Sequence, residues 1–131
     1  SVYLIYDLPD EENVAPLEDF LFDNGLEVLT PNFDGDESEI KESNIEKLKS
    51  CDSVLIYYGQ CAKSWVDMKL MSLMKAPGYG RRKAFSSKLV FMAPPFDRRK
   101  MRFRSNLASV IAQADEEFST KDLEIAVEEL K

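Results

Sequence analysis

The chain has 131 residues, with 24 acidic and 17 basic side chains, no histidine, two cysteines and a net charge of −7. That length holds one domain with room for one core, and no apolar run approaches the roughly 18 residues needed to span a bilayer. The lack of histidine excludes histidine-based triads and a histidine general base and removes most zinc sites, so no metal is expected and acid–base chemistry falls to Asp, Glu, Lys, Tyr or Cys.

The opening apolar run Val2–Tyr6 reads as a first strand, with no basic segment before it of the kind that starts a signal peptide. Asn13 is a suitable N-cap and Pro16 is tolerated in a first turn, so a helix carrying Leu17, Phe20 and Leu21 is expected, closed by Asn24-Gly25. Leu26–Thr30 reads as strand two. Pro31–Asp36 is a loop with an Asp34-Gly35 turn signal. A second helix spans Glu37–Lys49, with Ile40, Asn44 or Ile45, and Leu48 facing inward.

Ser53–Tyr58 is apolar without alternation, which suits a central parallel strand covered on both faces. A third helix runs from Ser64 to Lys75, ahead of Pro77, with Trp65, Met68, Leu70, Met71 and Met74 as a broad apolar face. Gly78–Arg82 is a loop, Lys88–Ala93 is strand four, and Pro94-Pro95 breaks it. Asp97–Arg104 is a loop or short helix, Ala108–Ala112 is strand five, and Ser119-Thr120 caps a last helix over Lys121–Leu130.

Strands alternating with helices imply a parallel sheet between two helical layers. Right-handed crossovers and five strands favour the flavodoxin-like order 2-1-3-4-5 in a single domain over residues 1–131. Such sheets take ligands beyond the carboxyl ends of the strands, at the switch in strand order. The crevice would lie between strands one and three. Asp7, Leu8, Tyr58, Gly59, Gln60, Ser64, Trp65 and Lys69 would line it.

Charge is segregated along the chain. Residues 1–52 carry 15 acids against 3 bases, residues 53–109 carry 2 against 12, and residues 110–131 carry 7 against 2. A basic belt of Arg81, Arg82, Arg98, Arg99, Lys100, Arg102 and Arg104, with Phe96 and Phe103 between, is expected to meet acidic surfaces, either of another copy or of another protein domain. An acidic total charge and the lack of a recognition motif argue against nucleic acid. Gly78–Arg82 resembles a phosphate loop only superficially, because it lacks the Gly-Lys-Ser/Thr ending and does not follow a strand. Cys51 and Cys61 match neither a zinc nor a redox spacing, so two reduced thiols are expected. The chain does not open on Met, and a module cut from a longer multidomain, cytoplasmic protein is the expectation.

The stretch CDSVLIYYGQCAKSWVDMKL, Cys51–Leu70, resembles the Toll/interleukin-1 receptor (TIR) domain in its divergent bacterial form. Leu48, Cys51, Val54, Ile56, Ser64, Trp65 and Leu70 fit that family's helix, strand and Ser-x-Trp-type opening of the third helix. VYLIYD resembles its first strand. The resemblance implies the same fold, a place at the front of a signalling or defence protein, and a crevice for NAD or a related nucleotide. The family's enzymes carry a glutamate four residues after that tryptophan, and this chain has Lys69. An ammonium only donates hydrogen bonds and is positive, so it cannot replace a carboxylate that accepts from sugar hydroxyls and stabilises a developing cation. An association module without NAD cleavage is therefore expected, with no bound cofactor required. The rivals are an NAD glycohydrolase with a rearranged site using Asp7, the one weak catalytic candidate, and a nucleotide-binding sensor. Asp67 lies two residues from Lys69 and points elsewhere on the helix. The loop Pro31–Asp36 lacks the family's Arg-Asp-x-x-Pro-Gly pattern, which removes the assembly role that loop would carry.

Overall fold

The computed structural model describes residues 1–113, 121 and 123–130. Its strands are β1 (Val2–Ile5), β2 (Val28–Leu29), β3 (Ser53–Tyr58), β4 (Ser87–Met92) and β5 (Ser109–Ala112). Its helices are α1 (Ala15–Asp23), α2 (Glu37–Ser50), α3 (Lys63–Lys75), α4 (Arg98–Met101) and α5 (Glu124–Leu130). The five strands form one parallel sheet in the order 2-1-3-4-5, as expected.

The burial pattern follows the two-residue period of a strand. Val2, Leu4, Leu55, Tyr57, Leu89 and Phe91 face one side and pack on Leu17 and Leu21 of α1 and Val127 and Leu130 of α5. Tyr3, Ile5, Val54, Ile56, Tyr58, Val90 and Met92 face the other and pack on Leu48 of α2, on Val66, Leu70 and Leu73 of α3, and on Phe103. β3 is buried at all six positions, which is why its sequence shows no alternation.

Several local expectations are corrected. Asn13 does not cap α1. The chain first makes a 3-10 turn over Leu8–Asp10 with Asp7 as its cap, and α1 starts from Val14 with no side-chain cap. Only Val28–Leu29 pairs as β2. The α3 core stripe is Val66, Leu70 and Leu73, a narrow i, i+4, i+7 pattern, while Met68, Met71 and Met74 face solvent. α2 is held at its start by Asp36, whose carboxylate accepts from Glu39 N at 2.8 Å. Of its expected inward residues only Leu48 is buried, and Ile40, Asn44 and Ile45 stand partly open. α2 therefore packs loosely, with consequences for the site. The cap expected at Ser119-Thr120 lies outside the described residues. Gly25 does close α1 in the left-handed region, at φ 84°.

Candidate functional site

Sheet order switches between β1 and β3, and the segments leaving their carboxyl ends meet there. The turn after β3 is fixed from two sides. Asp10 is fully buried, and its carboxylate accepts the Gln60 N–H at 2.9 and 3.0 Å. Lys100 is 2% exposed, and its ammonium donates to Gly59 O at 2.6 Å, to Pro95 O at 2.9 Å and to Ala93 O. Gly59 O and Gln60 N belong to one peptide unit. A buried anion thus holds its N–H and a buried cation holds its C=O, each through a charge-assisted bond. The ring of Tyr58 lies 4.7 Å from the Lys100 ammonium, which adds a cation–π contact. Gly59 is the only residue type that fits: an added Cβ would stand 2.5 Å from Asp10 Oδ1 and 2.7 Å from the Tyr57 ring. Burial lowers the Lys100 pKa, and nearby Cys61, Asp10 and Asp97 work against that.

Of two hollows, the first opens on one side of the sheet, and the second lies on the opposite side and meets this turn through Gln60. The first, of about 490 Å³, opens between the loosely packed α2 and α3, with Tyr3, Ile5, Ile40, Ile45, Leu48 and Met68 as its apolar wall. Lys69 enters it, with Ser72 and Tyr79 beside and Glu37, Lys41 and Asn44 along α2. The Lys69 ammonium lies 5.6 Å from the Trp65 ring centroid. Among the described residues it makes no hydrogen bond and no ion pair. Burial lowers its pKa, against a weaker opposing pull from Asp7. Tyr3 is raised far above the ordinary tyrosine range, first by burial and then by Cys51, so its hydroxyl stays protonated. The second hollow, of about 590 Å³, lies on the α1 side and is lined by Glu12, Asn13, Tyr57, Gln60, Pro94 and Gln113 among others. Burial first, then Asp10, pushes Tyr57 up to about 12.

The eight crevice residues expected from sequence therefore divide. Lys69 lines the first hollow, with the Trp65 ring 5.6 Å from its ammonium, and Gln60 lines the second. Asp7 caps Leu8 N at 3.0 Å and lines neither, and Leu8 is simply exposed. Gly59 contributes backbone. Tyr58 is a correction: it points into the core, edge-on to Phe103 at 5.4 Å, so it does not line the crevice. Ser64 is exposed at the start of α3.

The basic belt is corrected too. Arg81 is buried, and its guanidinium donates to Leu48 O, Lys49 O and Cys51 O at 3.0, 3.1 and 2.6 Å, closing the end of α2. It also lies over Phe85 at 3.8 Å. Lys100 is buried as described, and Phe103 is core. Arg82, Arg98, Arg99, Arg102 and Arg104 remain exposed, with Arg82 and Arg98 beyond opposite ends of β4.

Asp10 and Tyr3 were not singled out by sequence, and Lys100 only as a member of the basic belt. Only the run Asp7-Leu8-Pro9-Asp10 hinted at a second acid near the strand end. Both cysteines are free and buried, and burial pushes the Cys61 thiol up to about 11. Among the described residues no cluster of three or more acidic, Cys or His side chains is placed to hold a metal. No helix among them is long and apolar enough to cross a membrane.

No family model matches the chain, and no curated protein sequence matches it. Among solved structures, a CMP N-glycosidase from Clostridium botulinum, BcmB, is similar at 14% identity and a TM-score of 0.55, over 95% of this chain and 99% of that one. A flavodoxin-like domain of a Synechococcus protein is similar at 14% identity and a TM-score of 0.52, over 99% of this chain and 93% of that one. These likenesses show an α/β fold of the flavodoxin-like class.

Proposed function

We propose that the chain is a TIR-like recognition module of a signalling or defence protein, which takes a small anionic ligand of the nucleotide class beside Lys69 and acts by contact with other protein domains, without cleaving that ligand. The observation that carries this is the Lys69 side chain itself. It enters an apolar hollow of about 490 Å³, within the size range of ligand pockets, at the position where the family's enzymes would place a glutamate. Protonated, it repels an oxocarbenium-like transition state; neutral, it supplies no negative charge. Loss of one electrostatic stabiliser commonly costs on the order of 10²–10³ in rate. The rival, an NAD glycohydrolase using Asp7, is disfavoured because that carboxylate is engaged as a cap and lines neither hollow.

The test is incubation at high protein concentration with NAD and, because a CMP N-glycosidase shares the fold, with CMP. Nicotinamide and cytosine are followed by chromatography. No release is expected, while a nucleotide should raise the melting temperature of the wild type and not of Lys69→Glu. Turnover abolished by Asp7→Ala would overturn the reading.

Contact with partners is assigned to unlike charges. The exposed arginines Arg98, Arg99, Arg102 and Arg104 face acidic patches of another copy or domain, which gives heterologous, non-closing association. Such contacts are screened beyond about 8–10 Å at physiological salt. Any oligomer seen by light scattering should grow at low salt, dissolve at high salt, and be lost in Arg98→Glu/Arg99→Glu. A monomer at every ionic strength, or a dimer indifferent to salt, would refute this contact.

A further inference from the structure

Lys100 is buried in this fold and Lys69 half-buried, and their surroundings differ in one respect that matters chemically. Lys100 gives its protons to three carbonyls. Lys69, among the described residues, gives its protons to no acceptor. The groups that face or flank it are Asp7 after β1, Tyr3 on β1, Glu37 and Lys41 on α2, Trp65 on its own helix, and Tyr79 beyond α3. Of these, Asp7 and the Trp65 ring face favour the ammonium form, and burial lowers the pKa against the pull of Asp7. While no anionic ligand occupies the hollow, a partly desolvated amine without a counter-ion there has the character of a nucleophile. The apolar wall of Ile5, Ile40, Ile45 and Met68 leaves room for a carbonyl carbon to approach.

We infer that Lys69 is a covalent modification site, an imine-forming lysine that captures a small aldehyde with an apolar or aromatic body in the hollow between α2 and α3. The inference rests on reading that hollow as a ligand site. The nitrogen lone pair forms the C–N bond, and the carbonyl π electrons move to oxygen. One N–H proton reaches that oxygen through the hydroxyl of Tyr3, a residue that lines the same hollow, and a carbinolamine results. The C–O bond then breaks, and the oxygen leaves as water with a proton from Tyr3. The nitrogen lone pair closes the C=N bond, and the remaining N–H proton returns to Tyr3. Amine and aldehyde give imine and water, with no oxidant or reductant consumed, and the capture is reversible.

The test treats the full chain at neutral pH with limiting pyridoxal or, in parallel, propanal, so that an aromatic and a small aldehyde are both tried. Sodium borohydride fixes any imine, and peptide mass spectrometry locates it. At least about tenfold more adduct is expected on Lys69 than on any of the exposed lysines Lys63, Lys75, Lys83 and Lys88, because a lysine of lowered pKa holds more neutral amine at that pH. Lys69→Arg should remove this adduct and leave melting unchanged. Tyr3→Phe should slow its formation without moving it to another lysine. Labelling spread over the lysines in proportion to exposure with both probes, or unaltered by Lys69→Arg, overturns the inference. Nucleotide binding by Lys69→Arg, which keeps the charge, separates the two readings: if it survives while no imine forms in the wild type, the imine alone falls.

Discussion

Lys69 lies beside β1 and Lys100 beyond the ends of β3 and β4; Lys100 is a structural fastener, while Lys69 has no acceptor among the described residues. The carbonyls of Gly59, Ala93 and Pro95 surround Lys100, so the loss of its solvation is offset bond by bond. Lys69 meets an aromatic face and an apolar wall, which offset little. Burial by itself therefore does not tell a paired cation from an unpaired one; the count of acceptors does.

The strongest way to break the comparison is Lys100→Met. It leaves two buried carbonyls, one partly buried carbonyl and the Asp10 side of the clamp without their cation, so a loss on the order of 3–5 kcal/mol is expected in urea denaturation. A variant as stable as wild type would mean the carbonyls find water. Gly59→Ala tests the same turn from inside. Its new methyl meets Asp10 Oδ1 and the Tyr57 ring, and overpacking of this kind costs about 1–3 kcal/mol.

Lys69→Met sits at the other extreme: its stability should stay within about 0.5 kcal/mol of wild type at neutral pH, on the stable side. The pH dependence sharpens this. Burial places the folded-state pKa of Lys69 below the ordinary 10.5, so between the two values the unfolded chain binds more protons. Stability contributed by this site is therefore lowest below the folded value and rises with pH across that window. The advantage of Lys69→Met over wild type should shrink as pH approaches 10.5 in parallel melts, and an advantage that grows there would contradict the assignment.

The sheet order was legible because alternation of strands and helices, the uninterrupted apolar run of β3 and Gly25 are local signals that the tertiary structure did not override. Of the eight expected crevice residues, only Lys69 lines the first hollow and only Gln60 the second. Tyr58 follows the strand's alternation into the core, which the site reading set aside for its nearness to the strand end. Lys100 sits in a run with Arg98, Arg99 and Arg102, and nothing local marks which of them turns inward. That depends on carbonyls 5, 7 and 41 residues away. The methionines of α3 satisfied helical spacing as well as Val66, Leu70 and Leu73 did, and only packing against the sheet separates the two stripes. The loose seat of α2, which makes the hollow, leaves no mark on a sequence whose apolar positions read as ordinary core.

The clamped peptide after β3 also bears on how a ligand would arrive. Loops at the mouths of such sheets are commonly the parts that must be ordered on binding. Here the Gly59–Gln60 unit is held by a buried carboxylate at one end and a buried ammonium at the other. Gln60 lines the second hollow, so the wall it gives that hollow is already set. The Gln60 amide, though outside any strand or helix, should exchange its hydrogen with solvent as slowly as the amides of β3.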